Sequence, residues 1–151
     1  MKLGILIGSG DRIGKLVAPF LLVGLAANLW RPAWFSVGGP SRAAWLLGLA
    51  LLLPGVVGWA WSVYLILTRV PRQELITTGP FALVKHPLYT AVGLFVLPGV
   101  GLLLDSWLGV ALGLLVYVGA RRFGPEEERS LEQTFGPRWS EYRARVLLPW
   151  V

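Results

Sequence analysis

The sequence predicts an all-α, polytopic membrane protein with about four transmembrane helices and cytoplasmic C-terminal helices, in a single domain over residues 1–151. Only 15% of the residues are charged, against about 25% in a typical soluble domain. Hydrophobic residues make up 55% of the chain. The charged residues are also clustered, since the segment 43–67 contains none. Such a composition requires a non-aqueous environment for much of the chain.

Four segments meet or approach the length of about 20 apolar residues that crosses a bilayer core. They are 13–30, 43–67, 87–104 and 106–120. In the first, Lys15 lies close enough to one end for its ammonium group to reach the lipid headgroups. The last two are short, but one helix over 87–120 would be about 51 Å long, which exceeds a single crossing. We therefore expect a helical hairpin that turns at Asp105, with a single long crossing and an interfacial extension as the alternative.

The basic residues are divided unevenly between the two ends of these segments. Of 14 Lys and Arg residues, only Arg31 and Arg42 fall on one side, and the other 12 fall on the side of both termini. Because Lys and Arg are retained on the cytoplasmic side, we expect cytoplasmic termini in a prokaryotic inner or plasma membrane. The amino terminus lacks the pattern of a signal peptide, so we expect no cleavage. Because the charge flanks helix ends, the net charge of +6 indicates contact with the lipid bilayer and no nucleic-acid partner.

The chain contains no cysteine and one histidine, His86. The absence of cysteine excludes disulfides, thiolate chemistry and cysteine metal sites. A single imidazole provides no histidine cluster for a metal. We therefore predict no metal site.

The first of two polar regions expected in the cytoplasm is 75–89. Gly79 and Pro80 indicate a turn, and Pro87 is typical of the first residue of a helix. This places His86 at the amino-terminal cap, where backbone amides and the helix dipole favour an anionic group. The alternative is a histidine with only a local capping role.

The second polar region is the tail, 121–151. GPEEERSLEQTFG predicts a polar helix that begins near its three glutamates, whose charges suit a helix amino terminus, and a second segment, PRWSEYRARVLLPW, follows. Apolar residues continue along one line at spacings of three and four, so we expect the tail to pack back on the membrane domain or the lipid surface. These residues are Leu131, Phe135, Trp139, Tyr142 and Val146.

Together the two regions resemble a known superfamily. GPFALVKHPLYTAVG is similar to the Gly-Pro-Tyr…Arg-His-Pro-x-Tyr-x-Gly signature of the isoprenylcysteine carboxyl methyltransferases and phospholipid methyltransferases. EERSLEQTFGPRWSEYRARVLLP is similar to the Glu-Glu-x-x-Leu…Phe-Gly…Tyr-x-x-Tyr…Val…Pro tail of the same superfamily. The resemblance covers 79–149, nearly half of the chain, and the hydrophobic hairpin lies between the motifs as it does in the family.

The resemblance implies an integral membrane methyltransferase that uses S-adenosyl-L-methionine, bound on the cytoplasmic side between the hairpin and the tail. Matched by position, the implied cofactor-binding residues are Leu83, Val84, Lys85, His86, Tyr89, Glu127 and Glu128. For Leu83 and Val84 the contact would be made by the backbone. The paired glutamates would bind the ammonium group or the ribose hydroxyls of the cofactor. Arg122 is implied, with Glu127, as a catalytic residue that orients the acceptor or the cofactor carboxylate.

The chain departs from the family pattern at three positions. Lys85 replaces the usual arginine, which exchanges a bidentate donor for a point charge. Phe81 and Trp139 replace common tyrosines, which removes two hydroxyls and keeps the aromatic packing. The chain is also smaller than the eukaryotic prenylcysteine enzymes, so their protein substrate is not carried over.

Methyl transfer from a sulfonium is an in-line displacement that depends mainly on positioning and on exclusion of water. A carboxylate or thiolate acceptor needs no base, whereas a protonated amine must first lose a proton, for which Glu127, Glu128 and His86 are candidates. A chain this apolar, with short outer loops, indicates a lipophilic small-molecule or lipid substrate that arrives from the bilayer.

Two other functions compete with methyl transfer. The first is a non-catalytic membrane protein, either a partner subunit or a small transporter. Transport is disfavoured because no ionisable residue lies in the middle of the four segments, and such residues usually mark ion pathways. The second is an NADPH-dependent reduction, because membrane sterol reductases share distant architecture with the superfamily.

Overall fold

The computed structural model describes residues 9–39 and 41–148. The described residues are helical apart from turns and an isolated β-bridge between Val84 and Leu148, which confirms the all-α class. The first basic residue, Lys2, and the proline that ends the C-terminal motif, Pro149, lie outside the described residues.

The helices of the described residues are named here in chain order. They are α1 (Gly10–Trp30), α2 (Arg42–Arg69), α3 (Pro80–Leu83), α4 (Pro87–Leu103), α5 (Leu108–Phe135) and α6 (Pro137–Arg145). Single 3₁₀ turns, Pro32–Trp34 and Val70–Arg72, follow α1 and α2. Within α4 the residues Ala91–Val96 are π-helical.

Two helices, α1 and α2, are long and apolar enough to cross a membrane. Their large apolar side chains are exposed, with Leu29 80% and Leu53 62% accessible. In water such a surface would drive association. Of the other two predicted spans, the third corresponds to the shorter α4, and the fourth forms the first part of α5.

The four long helices lie side by side in the order α1, α5, α4, α2, because α1 packs on α5, α5 on α4 and α4 on α2. Glycines allow these close approaches. A Cβ atom on Gly113 would lie 2.1 Å from the carbonyl oxygen of Gly93, and one on Gly55 would lie 2.6 Å from Cβ of Phe95. Small residues at such contacts are typical of helices that pack in membranes.

The turn between α4 and α5 lies at residues 104–107, which confirms the predicted turn at Asp105 and excludes one continuous helix over 87–120. Asp105 has a φ of +50°, a region that aspartate tolerates better than most residues. Its carboxylate accepts hydrogen bonds from Ser36 Oγ at 2.6 Å and from the backbone amides of Val37 and Gly39 at 3.2 and 3.1 Å. The turn is therefore fixed to the loop after α1.

The prediction that a separate polar helix begins near the three glutamates is wrong. Helix α5 continues from Leu108 through Pro125 to Phe135. A proline inside a helix costs roughly 3 kcal/mol, and packing at this position offsets the cost, because Gly124 lets α5 pass close to the imidazole of His86. The glutamates therefore lie inside a helix, where they complement no dipole and pair with other segments instead.

The predicted packing of the tail is confirmed. Trp139, Tyr142 and Val146 are buried together against partly buried apolar residues of the α2–α3 loop and of α5. Those neighbours are Leu75, Leu131 and Phe135. The tail therefore closes over the loop that leads into α4.

Candidate functional site

The segment between α3 and α4 directs Lys85 and His86 toward α5. Gly79 takes a φ of +63° just before Pro80 opens the single turn of α3, as the predicted turn requires. His86 is the amino-terminal cap residue of α4, also as predicted. Its imidazole makes no capping bond to that helix within the described residues, so the ring is directed to another segment.

Glu128 of α5 contacts both polar residues of the first motif region, Lys85 and His86. Its Oε1 lies 2.5 Å from Lys85 Nζ and 3.3 Å from His86 Nε2. The side chains of Lys85 and Glu128 are only 9% and 16% exposed. The hydrogen bond with His86, followed by the contacts with Lys85, lowers the pKa of Glu128 to about 2 against the opposing effect of burial. The carboxylate is therefore ionised and paired at neutral pH.

The neighbouring Glu127 faces a different segment. Its Oε2 accepts hydrogen bonds from Ser9 Oγ at 2.6 Å and from the backbone amide of Ser9 at 3.2 Å. The Ser9 hydroxyl also lies 3.0 Å from the hydroxyl of Tyr89. Sequence reasoning missed Ser9, because a serine before a helix ordinarily predicts only a cap and nothing local relates it to a glutamate 118 residues away.

Glu126 also pairs with α1, through the guanidinium of Arg12. Successive helix residues point about 100° apart, so no two of the three glutamates contact the same residue. Two of them fasten the start of α1 to α5, and Glu128 fastens the segment before α4 to α5.

A cavity of about 270 Å³ lies beside the pairing of Lys85 and Glu128. It is lined by Lys85, His86, Tyr89, Thr90, Leu94, Tyr117, Ala120, Arg121, Pro125, Glu128 and Arg143. Four of the predicted site residues are therefore brought together on its wall. Arg121 and Arg143 were not predicted, although their place in the basic tail is a signal that could have been used.

The other predicted residues lie outside this lining. The carbonyl of Leu83 accepts a hydrogen bond from Leu148 at 2.9 Å, and Val84 is buried. Arg122 is exposed, with its guanidinium 5.8 Å from the ring centre of Phe123. The C-terminal segment thus takes up the carbonyl of Leu83, which was predicted to contact the cofactor.

Helix α6 holds this C-terminal segment against α3. The hydroxyl of Tyr142 donates to the carbonyl of Phe81 at 2.8 Å. Burial, with the nearby charge of Glu128, raises the pKa of Tyr142 above its usual range. The hydroxyl therefore remains protonated and acts as a fixed donor that ties α6 to α3.

The lining combines charged and aromatic groups. Lys85, Arg121 and Arg143 contribute positive charge, and Glu128 contributes a carboxylate. The rings of His86 and Tyr89 stack with centroids 5.9 Å apart. Such a wall suits a ligand that has both an ammonium and an acidic group together with a flat ring system.

A family model described as phospholipid methyltransferase matches residues 43–138, well over half of the chain. The chain belongs to the phospholipid methyltransferase family. Searches of curated proteins and of solved structures gave no match. The part of the chain that matches the phospholipid methyltransferases runs from α2 into α6 and contains both Lys85 and Glu128. Membership confirms the superfamily predicted from the motifs and implies methyl transfer to a lipid-type acceptor.

Proposed function

We propose that the protein transfers a methyl group from S-adenosyl-L-methionine to a lipophilic acceptor held in the bilayer, in the manner of the isoprenylcysteine methyltransferases. One observation carries the proposal. The two motif regions converge on one cavity, where Lys85 and His86 contact Glu128. A protein whose motifs were inherited without function would not need to keep a cavity between them.

The residues present fit the cofactor by their chemistry. The carboxylate of Glu128 would hold the ammonium group, and the basic side chains of Lys85 and Arg143 would hold the carboxylate of the amino-acid part. The rings of His86 and Tyr89 offer faces for the adenine or the sulfonium. S-adenosyl-L-methionine supplies a methyl group that already carries its leaving group. The roles of Glu127, Arg122 and the backbone at Leu83 and Val84 stay predictions.

The protein's own contribution is then position and exclusion of water. Because the pKa of Glu128 is about 2, this carboxylate is a weak base. His86 is the better candidate to take a proton from an amine acceptor, since its ring lies on the cavity wall and histidine is the side chain that most often serves as a general base. A carboxylate or thiolate acceptor would need neither group.

An acceptor with a long apolar chain suits the remaining lining. Leu94, Tyr117 and Ala120 carry the cavity wall from the charged end toward the predicted third and fourth spans. We propose that α1, α2, α4 and the first part of α5 all cross the membrane, with the termini and the cavity on the cytoplasmic side. The acceptor would then reach the methyl donor without leaving the bilayer.

Calorimetry of the purified protein in detergent tests which cofactor the protein binds. We expect S-adenosylhomocysteine to bind, and binding to be lost in His86→Ala and in Glu128→Gln. Glu132→Gln is the matched control, because Glu132 is exposed on the same helix and should leave binding unchanged. Binding of NADPH without S-adenosylhomocysteine would support a reductase, and binding of neither would support a non-catalytic membrane protein.

Incubation with membrane lipid extract and cofactor labelled in its methyl group tests the acceptor. We expect the label in the organic phase, and less of it with Glu128→Gln than with Glu132→Gln. Label confined to water-soluble products would contradict a lipophilic acceptor while leaving methyl transfer intact.

A further inference from the structure

Ser9 makes contacts that its position in the chain does not require. It is the cap residue of α1, yet its side chain makes no capping hydrogen bond within the described residues. A serine cap ordinarily accepts a hydrogen bond from its own helix, which contributes about 1 kcal/mol. Here the hydroxyl instead forms hydrogen bonds with Glu127 and Tyr89, which are distant in the chain. Ser9 is only 5% exposed.

The direction of these hydrogen bonds follows from the groups involved. The Ser9 hydroxyl donates its only proton to Glu127 Oε2 at 2.6 Å. The Ser9 oxygen can then only accept from Tyr89, whose hydroxyl donates to it at 3.0 Å. One ordered chain therefore runs from Tyr89 of α4 through Ser9 at the start of α1 to Glu127 of α5.

This chain ends on the wall of the cavity. The ring of Tyr89 lines the cavity and stacks on His86, which in turn contacts Glu128. The hydrogen bond at the hydroxyl of Tyr89 opposes rotation about χ1, because that rotation would carry the hydroxyl away from Ser9. The hydroxyl of Ser9 thus fixes the position of an aromatic wall that it does not itself form.

We propose that Ser9 is a positioning residue of the cofactor cavity, which orients Tyr89 by linking its hydroxyl to Glu127. The start of α1 is then a functional part of the site, although it lies outside the region that matches the family. Glu127 acts in the same way, as the anchor of Ser9. The inference rests on the proposed function, because it concerns the affinity of that same cavity for its cofactor.

Binding of S-adenosylhomocysteine by Ser9→Ala, Ser9→Thr and Arg12→Gln tests the proposal. We expect Ser9→Ala to bind about five- to tenfold more weakly, as loss of the neutral hydrogen bond between Ser9 and Tyr89 predicts. Ser9→Thr keeps the hydroxyl and should restore affinity to within about twofold. Arg12→Gln removes the neighbouring ion pair between α1 and α5 without touching Tyr89, and should leave affinity unchanged.

A double-mutant cycle separates positioning from general loosening. Tyr89→Phe removes the hydroxyl that Ser9 contacts. The double variant, Ser9→Ala with Tyr89→Phe, should therefore bind S-adenosylhomocysteine no more weakly than whichever single variant has the lower affinity. The Michaelis constant for the methyl donor should rise in Ser9→Ala while the turnover number changes less.

Equal affinity of Ser9→Ala and the unaltered protein for S-adenosylhomocysteine would overturn this inference alone. The same conclusion would follow if Arg12→Gln weakened binding as much as Ser9→Ala does, or if the losses of affinity in the double-mutant cycle were additive. Failure of the unaltered protein to bind S-adenosylhomocysteine would overturn the proposed function and this inference with it.

Discussion

Glu128 joins the two sequence motifs through an ion pair with Lys85. Its carboxylate neutralises a lysine that is nearly buried, so its removal would leave Lys85 without a counter-charge. We expect Glu128→Gln to lower the free energy of unfolding by about 3 kcal/mol, in the range found when one partner of a buried ion pair is removed. Denaturant unfolding in detergent micelles, followed by circular dichroism, would measure the change.

The matched control replaces both partners. Lys85→Met combined with Glu128→Leu leaves no charge unpaired, and buried ion pairs replaced by apolar residues are often neutral in stability. The double variant should therefore be more stable than Glu128→Gln. If it were less stable, the pairing of these two side chains would not be the source of the loss.

The same carboxylate makes the stability depend on pH. Its pKa is lowered in the folded protein from 4.5 to about 2, so the folded state binds this proton less readily than the unfolded state does. The stabilisation is fully present above about pH 4.5 and is lost as the pH falls toward 2. The difference in unfolding midpoint between the unaltered protein and Glu128→Gln should be constant from pH 7 to 5 and shrink at pH 3. A difference that persists at pH 2 would contradict this assignment.

The site could be predicted at residue scale only as far as local patterns reach. Lys85, His86, Tyr89 and Glu128 were predicted from the resemblance to the family, whose motifs are visible in short windows, and the structure brings all four to the wall of one cavity. Ser9 could not be predicted, since its contacts with Tyr89 and Glu127 span 80 and 118 residues. Long-range contacts of this kind depend on how whole helices pack, which a single sequence does not reveal.

Between elements, close packing of α4 and α5 depends on glycine. A Cβ atom on Gly113 would meet the carbonyl oxygen of Gly93 at 2.1 Å, a backbone atom that cannot rotate away. We expect Gly113→Ala to lower the unfolding free energy by about 1–3 kcal/mol, the usual cost of overpacking. Thermal unfolding in detergent would measure the effect.

Gly14 provides the comparison for that substitution. It lies in α1, and nothing described in the structure comes within 4 Å of a Cβ atom placed there. Gly14→Ala should therefore be neutral or stabilising by up to about 1 kcal/mol, through helix propensity alone. Equal destabilisation by both substitutions would show that the hairpin does not depend on this approach.

The elements themselves were predicted unequally. The hairpin turn at Asp105 followed from the length of the apolar stretch and a single charge, and it was correct. The boundary within α5 was wrong, because Gly124 and Pro125 usually mark a helix end. Here tertiary packing overrides that local signal. The glycine admits His86, and the glutamates that follow are each held by another segment.

At the scale of the whole molecule, the polar contacts gather at two opposite ends of the helices. The loop after α1 joins the turn between α4 and α5, where Trp107 donates its backbone amide to Phe35 at 2.9 Å. The loop after α2 and the tail meet at the other end, around the cavity. The uneven division of basic residues corresponds to these two ends, because Arg31 and Arg42 flank the loop after α1.

This arrangement predicts a single orientation in the membrane, which cysteine labelling can test. Because the chain contains no cysteine, each introduced cysteine is the only thiol of the protein that can react. Ala33, Thr78 and Ser140 are exposed positions, the first at one end of the helices and the other two at the cavity end. In intact cells, Ala33→Cys should react with a membrane-impermeant maleimide, whereas Thr78→Cys and Ser140→Cys should react only after permeabilisation. Labelling of Ala33→Cys and Ser140→Cys from the same side would contradict an odd number of crossings between them. Because α5 would supply both the last crossing and Glu128, labelling of Ser140→Cys in intact cells would also place the cavity away from the cytoplasmic surface.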